Sequence, residues 1–137
     1  NIYNQTGVSA YEVTYTTPNP VDHVVFQART AGTELDYSSI RLTYAGGSLT
    51  AARTETDRVS FGGPPGTPGS GFAVSSLWDF NLAGLNASSF KIAFKAADVS
   101  VSFDSAVLDV KAAPEPGMMA LGALGLGLSA FAVWRRR

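Results

Sequence analysis

Five segments of this chain alternate apolar and polar side chains with a period of two. That period places one face of a β-strand in a core and the other face in water. The alternating sets are Tyr11, Val13 and Tyr15; Val24, Phe26 and Ala28; Ile40, Leu42 and Tyr44; Phe90, Ile92 and Phe94; and Val99, Val101 and Phe103. We therefore predict that residues 1 to about 111 consist of strands and turns, with no helix before residue 117.

Weaker strand patterns and turn signals fill the intervals between these sets. The weaker candidates are residues 49–53, 59–61, 72–82 (continuous or broken near Ser76) and 106–110. Turn signals stand at Asn19-Pro20, Ala31-Gly32, Gly46-Gly47 and Ala97-Asp98. About eight or nine short strands in about 110 residues predict an all-β fold, an antiparallel β-sandwich.

Residues 62–71 are made only of Gly, Pro, Thr and Ser. Such a stretch is typical of an exposed loop between two strands of one domain, and also of a binding loop or a linker. The pieces on either side are too small to make two good cores. We therefore predict a single domain over residues 1–113 and a separate tail over residues 114–137.

Charge and cysteine content exclude several classes of function. The net charge is −1, and three of the ten basic residues are the last three. The rest of the chain is mildly acidic, which gives no electrostatic support for binding nucleic acid. Because the chain has no cysteine and one histidine, disulfides, thiol chemistry and zinc sites of nitrogen and sulfur ligands are excluded. We expect no cofactor.

The one histidine does not suggest catalysis. His23 has the opposite strand parity to Val24 and Phe26, so we predict a surface side chain. A serine triad would need a Ser and an acid beside it, and the chain has no Gly-Xaa-Ser-Xaa-Gly elbow. We predict no catalytic residue and no enzyme.

Acidic residues stand in two pairs, Glu34 with Asp36 and Glu55 with Asp57. On a strand each pair would share a face, whereas on a loop each could offer oxygen ligands to calcium. Neither pair fits the twelve-residue calcium loop, so we interpret both as solvated surface. Spacing alone does not exclude a glycosidase pair.

Three aromatic residues are candidates for stacking on sugar rings, namely Tyr37, Tyr44 and Trp78. Trp78 lies between Leu77 and Phe80, which favours a core role for it instead.

The tail has the composition of a membrane anchor. Its 18 residues from 117 to 134 include no charge, and as a helix they span about 27 Å, just enough for a hydrocarbon core of about 30 Å. Trp134 stands where an interfacial aromatic belongs, and Arg135, Arg136 and Arg137 would stay on the cytoplasmic side. We predict one C-terminal transmembrane helix, with the domain on the opposite side of the membrane.

Pro114 and Pro116 stop that helix from running back into the domain, because proline lacks an N–H and fixes φ. The order Pro114-Glu115-Pro116, apolar span and arginine cluster resembles the PEP-CTERM sorting signal of Gram-negative bacteria, which the exosortase family reads. The resemblance covers about a sixth of the chain. An ordinary uncleaved single-pass anchor is the alternative.

The resemblance implies how the chain is exported, anchored and processed. It implies export by a signal upstream of Asn1, an inner-membrane-anchored precursor facing the periplasm, and processing near Pro114-Glu115-Pro116 by a membrane-embedded cysteine transpeptidase. It also implies an exopolysaccharide and biofilm setting at the cell surface or in the matrix. The domain is loosely similar to PEP-CTERM ectodomains, many of them β-sandwiches and some like carbohydrate-binding jelly rolls. We therefore expect a jelly-roll-like sandwich.

Three functions remain open for the domain. The first is a non-enzymatic structural or adhesive role. The second is a sugar-binding module that would hold exopolysaccharide through an exposed row of aromatic side chains. The third is a small secreted hydrolase, which would need a pocket with two close carboxylates.

Overall fold

The structure of the chain, a computed structural model, describes residues 2–4, 7–64 and 68–114. The described residues form nine β-strands and one 3₁₀ turn, Tyr37–Ser39. The strands are β1 (Ile2–Asn4), β2 (Ala10–Thr16), β3 (Val21–Gly32), β4 (Arg41–Tyr44), β5 (Gly47–Leu49), β6 (Arg53–Phe61), β7 (Gly71–Asn81), β8 (Ser89–Lys95) and β9 (Val101–Ala112). The predicted all-β fold is confirmed.

The strands form two antiparallel sheets with nested pairing. The five-stranded sheet has the order β1-β9-β3-β7-β6, and the four-stranded sheet has the order β2-β8-β4-β5. The first strand pairs with the last, β2 pairs with β8, β3 with β7, and β4 with β5. This pairing, in which a long hairpin is rolled into two sheets, is the arrangement of a jelly roll. The extra strand β6 is added at the edge beside β7.

The core lies between the two sheets and consists of the alternating apolar residues. Val24, Phe26 and Ala28 of β3 are buried, as are Phe90, Ile92 and Phe94 of β8. The Phe26 ring lies 5.8 Å from Trp78 in the same sheet and 5.1 Å from Phe94 in the other sheet. These contacts close the sandwich at its centre.

One predicted strand boundary is wrong, and its cause is a β-bulge. Residues 101–103 and 106–110 belong to a single strand, β9, in which Thr30 pairs with Phe103 while Arg29 pairs with Ser105. The extra residue, Asp104, reverses the parity of the strand. Val99 lies outside β9, and Ser100 before the strand has φ of 64°.

One further detail decides between two alternatives that the sequence left open, and another corrects the sequence interpretation. Strand β7 runs without a break through Ser76, which is buried and accepts a hydrogen bond of 2.9 Å from Nε of Arg53. Ala31 and Gly32 are not a turn but the last residues of β3, where Gly32 adopts φ of +83°.

The low-complexity stretch lies between two strands that pair with each other. It connects β6 to β7, which are antiparallel neighbours paired from Arg53↔Trp78 to Phe61↔Gly71. Gly62 has φ of +78°, and a Cβ there would lie 2.1 Å from the carbonyl oxygen of Gly69. The two described ends of the stretch, at Gly62 and Gly69, therefore lie against each other. This is the arrangement of a connection between adjacent antiparallel strands.

The predicted tail falls almost entirely outside the described residues. Strand β9 ends at Ala112 and the described chain ends at Pro114. The helix predicted for residues 117–134 and the arginine cluster therefore stay predictions. Within the described ranges no helix is long and apolar enough to cross a membrane.

Candidate functional site

The junction between the sandwich and the tail is held by backbone hydrogen bonds to the start of β3. Ala112 pairs with Val21 at the start of β3, and the N–H of Ala113 donates a hydrogen bond of 2.8 Å to the carbonyl of Pro20. Pro114 follows at once and is exposed. Of the sorting residues predicted from sequence, Glu115 and Pro116 lie outside the described residues, as do Trp134 and the three arginines.

The connections around this junction are held together by backbone hydrogen bonds. We call residues 17–20, 45–46, 82–88 and 113–114 the proximal end of the sandwich. The N–H of Val21 bonds the carbonyl of Ala87 at 2.8 Å, and the N–H of Thr17 bonds that of Ser88 at 2.9 Å. Leu82 donates in the same way to Asp22 at 2.8 Å. The tail thus starts from an end of the sandwich whose connections are joined to one another by backbone hydrogen bonds.

The C-terminal half of β9 has a neighbour on one side only among the described residues. Strand β1 pairs with β9 only from Val101 to Phe103, whereas β3 pairs with it from Val101 to Ala112. Residues 105–112 are mostly exposed. The strand that leads into the tail is therefore an edge strand, which can be lifted from the sheet by breaking hydrogen bonds on one side.

His23 lies where its parity predicts, on the face of β3 that points away from the core. It is partly exposed, and its Nε2 contacts the Oδ1 of Asp79, a carboxylate that is itself more than half exposed. The prediction of a surface side chain is confirmed. The two residues form an ion pair between neighbouring strands when His23 is protonated.

The three aromatic candidates do not form an exposed row. Trp78 is 1% exposed and packs against Phe26, so its ring offers no face to a sugar, and the core role that the sequence favoured for it is confirmed. Tyr37 is half-buried and carries the Arg53 guanidinium 3.9 Å from its ring centroid. Tyr44 is half-buried at the β4–β5 turn.

The acidic pairs separate in the structure. Glu55 pairs with Ser76 while Asp57 pairs with Ser75, so a bulge at residue 56 sends the two carboxylates to opposite faces. The expectation that this pair would share a face is wrong. Asp57 instead lies 3.4 Å from Nη1 of Arg29.

The other pair diverges as well, because Glu34 and Asp36 have different partners. Asp36 caps the 3₁₀ turn by accepting a hydrogen bond from the N–H of Ser38 at 3.1 Å, and it lies 3.7 Å from Nζ of Lys95. In the part of the chain that the structure describes, no three His, Asp or Glu side chains come close enough to hold a metal ion.

A closed ring of polar contacts, which sequence reasoning missed, covers one edge of the core beside Trp78. Nη1 of Arg58 lies 2.8 Å from Glu34 and its Nε lies 2.9 Å from Glu55, while Nη2 of Arg53 lies 2.5 Å from Glu55. The Tyr37 hydroxyl donates to Glu34, and Arg53 stacks on Tyr37 to complete the ring. We call these five residues the polar ring.

The polar ring shifts the titration of its members. Hydrogen bonds from Arg58 and then Arg53 lower the pKa of Glu55 from 4.5 to about 2. The pKa of Glu34 is also lowered, chiefly by Arg58. Burial and the hydrogen bond to Glu34 raise the pKa of Tyr37 to about 12. No local signal reveals this cluster, because its members come from β6 and from the β3–β4 connection. Each of the five side chains is in contact with two other members of the ring, which indicates a structural role.

Comparison with known proteins identifies the tail. Residues 112–137 match the family model of the PEP-CTERM protein-sorting motif, which confirms the resemblance carried by Pro114, Glu115, Pro116 and the arginine cluster. The match begins at the last residue of β9. No curated protein and no solved structure matches the chain.

Proposed function

We propose that this PEP-CTERM protein is an exported surface or matrix protein with a structural or adhesive sandwich, made as a membrane-anchored precursor that an exosortase processes. The sorting motif itself implies secretion, a membrane-anchored precursor and processing by an exosortase. The structural or adhesive role, and its setting among exopolysaccharides in a biofilm, are our proposal for the domain.

The position of the motif carries this proposal. It begins at residue 112, where β9 ends, so the sandwich is complete before the tail starts. Among the described residues, those that are buried in the core all precede the motif, the last of them being Val101. We therefore expect the domain to keep its core when the tail is removed, as a protein released from its anchor requires.

The parts of the tail have separate roles in this proposal. Residues 117–134 hold the precursor in the membrane, and the arginines keep the terminus in the cytoplasm. Pro114 and Pro116 keep the backbone around Glu115 extended, in the conformation that a transpeptidase binds. Four glycines in an 18-residue span make a short anchor that suits temporary retention.

The chemistry of the surface favours a non-enzymatic domain. His23 is engaged with Asp79 on an open sheet face, and Glu34 and Glu55 are engaged with arginines in the polar ring. These are the groups from which a general acid or base would be drawn. The two glutamates are held in ion pairs with arginine, and the lowered pKa of Glu55 is unsuitable for a proton donor near neutral pH.

A groove beside the paired ends of β2 and β8 favours a second candidate, carbohydrate binding. It has a volume of about 490 Å³ and is lined by Ala10, Tyr11, Glu12, Ser39, Ala93, Phe94 and Lys95. The Tyr11 hydroxyl is buried without a hydrogen-bond partner among the described residues. A groove with small apolar walls and opposite charges at its rim can accept a polar ligand.

Two measurements test these proposals. Mass spectrometry of the native protein should find a mature chain that ends near Pro114-Glu115-Pro116, and Glu115→Ala should leave the precursor inserted but unprocessed. Recovery of the chain with Arg137 as the main species, in cells that contain the exosortase, would contradict sorting. A glycan screen with residues 1–113 tests the second candidate, because Glu12→Ala with Lys95→Ala should abolish any binding that uses the groove.

A further inference from the structure

The two ends of the sandwich differ in charge. The connections of the proximal end, residues 17–20, 45–46, 82–88 and 113–114, contain no Asp, Glu, Lys or Arg. At the opposite end the described connections are residues 7–9, 33–40, 62–64, 68–70 and 96–100, and they carry Glu34, Asp36 and Asp98. We call this opposite end the distal end. The uncharged end is the one from which the tail leaves.

The proximal end also displays an apolar side chain on a fixed loop. Leu85 is 39% exposed at the tip of the β7–β8 connection, whereas Leu82 and Ala87 on either side of it are buried. The N–H of Leu85 bonds the carbonyl of Leu82 at 3.0 Å, and Asn86 holds φ of 53°. The loop is thus anchored by the buried side chains of Leu82 and Ala87, and Leu85 between them is exposed to solvent.

The length of the chain after the sandwich limits how far this end can stand from a membrane. Ala113 is bonded to Pro20, and the uncharged span begins at Gly117. Four residues reach at most about 14 Å when fully extended. The polar layer on each side of the hydrocarbon core is about 5–8 Å thick. Crossing that layer therefore uses about a third to a half of the available reach, and the proximal end stays within about 10 Å of the headgroups.

We propose that the proximal end is a membrane-facing surface that rests on the lipid headgroups of the precursor's membrane, with Leu85 inserted among them. Resting there costs little desolvation, because the connections carry no charge, and it buries the exposed leucine. The acidic distal end then points away from the membrane. This inference rests on the proposed retention of the tail in the membrane, and it adds the orientation of the domain.

The absence of cysteine allows a direct test with single labels on the full chain. Leu85→Cys and Val99→Cys place an environment-sensitive fluorophore at two exposed apolar positions, 39% and 38% exposed, at the proximal and distal ends. Each labelled protein is reconstituted into vesicles of phosphatidylethanolamine and phosphatidylglycerol, with and without a quencher on the lipid headgroup. We expect a blue shift and strong quenching at residue 85 and neither effect at residue 99.

Every other outcome contradicts the inference. If the protein floats with the vesicles but neither label responds, the domain stands clear of the membrane, and the sorting function is untouched. Equal quenching at both positions would show that the domain has no preferred orientation. Failure of the full chain to float with vesicles would contradict the anchored precursor itself, and would thereby separate an error in the proposed function from an error in this inference.

Discussion

The N–H of Ala113 donates a hydrogen bond of 2.8 Å to the carbonyl of Pro20. This bond joins the last residue before the sorting prolines to the turn between β2 and β3, at the opposite end of the sandwich from the start of β9. It fixes the point at which the folded domain ends and the tail begins.

Removing residues 117–137 should leave the melting temperature of the domain unchanged. The core is assembled from β2 to β9, and β9 ends at Ala112. Thermal unfolding followed by circular dichroism would measure the effect on the domain in solution. Aggregation of the shortened chain, or a much lower melting temperature, would show that the tail belongs to the fold.

Fastening β9 to β3 should slow processing of the tail. Only Pro114 separates the hydrogen-bonded Ala113 from Glu115, so we expect an enzyme that grips an extended segment to lift the end of β9. Val25 and Asp109 are opposite residues, at a spacing that a disulfide accepts. The ratio of precursor to mature protein should rise in the Val25→Cys, Asp109→Cys variant.

A matched disulfide controls for that experiment. Gln27 and Leu77 are opposite residues of β3 and β7, so a disulfide between cysteines at these positions stiffens the same sheet without holding β9. This control should be processed like the wild type. Equal processing of both variants would mean that β9 need not open.

Trp78→Ala should destabilise the domain by about 3–5 kcal/mol, the usual cost of removing a buried aromatic side chain. Trp78 is 1% exposed and contacts both Phe26 and Tyr37. Val107→Ala is the control, because Val107 is 53% exposed on β9 and should change stability by less than about 0.5 kcal/mol. Chemical denaturation measures both values, and a small loss for Trp78→Ala would contradict its place in the core.

The polar ring should make stability depend on pH in acid. The pKa of Glu55 is lowered from 4.5 to about 2, so its contribution is fully present above pH 4.5 and is lost as pH falls through about 2. Arg58→Gln removes the main cause of this shift and of that in Glu34. The variant should therefore lose stability less steeply below pH 4.5.

Arg41→Gln provides the comparison, since the hydrogen bond described for Arg41 goes to the hydroxyl of Ser48. Denaturation midpoints measured across the acid range should fall in parallel for Arg41→Gln and the wild type. If Arg58→Gln followed the same curve, the ring would contribute nothing to the acid dependence.

Sequence alone determined which residues face the core in the strands that have a regular alternation, because strand parity is a local property of the backbone. The structure buries the apolar residues of these alternating sets, as the sequence predicts: Val24, Phe26 and Ala28 in β3, and Phe90, Ile92 and Phe94 in β8. The sorting motif was also readable, since it is a contiguous order of prolines, apolar span and arginines. Both features need no knowledge of distant parts of the chain.

Tertiary structure alone decided which strands are neighbours and where their register slips. A bulge adds one residue without a mark in the sequence, and the bulges at Asp104 and at residue 56 reverse the faces of the residues beyond them. The polar ring and the charge-free proximal end arise the same way, from segments far apart in sequence that nested pairing brings together. Such contacts depend on the free energy of the whole sandwich, and they cannot be predicted from the sequence of any single segment.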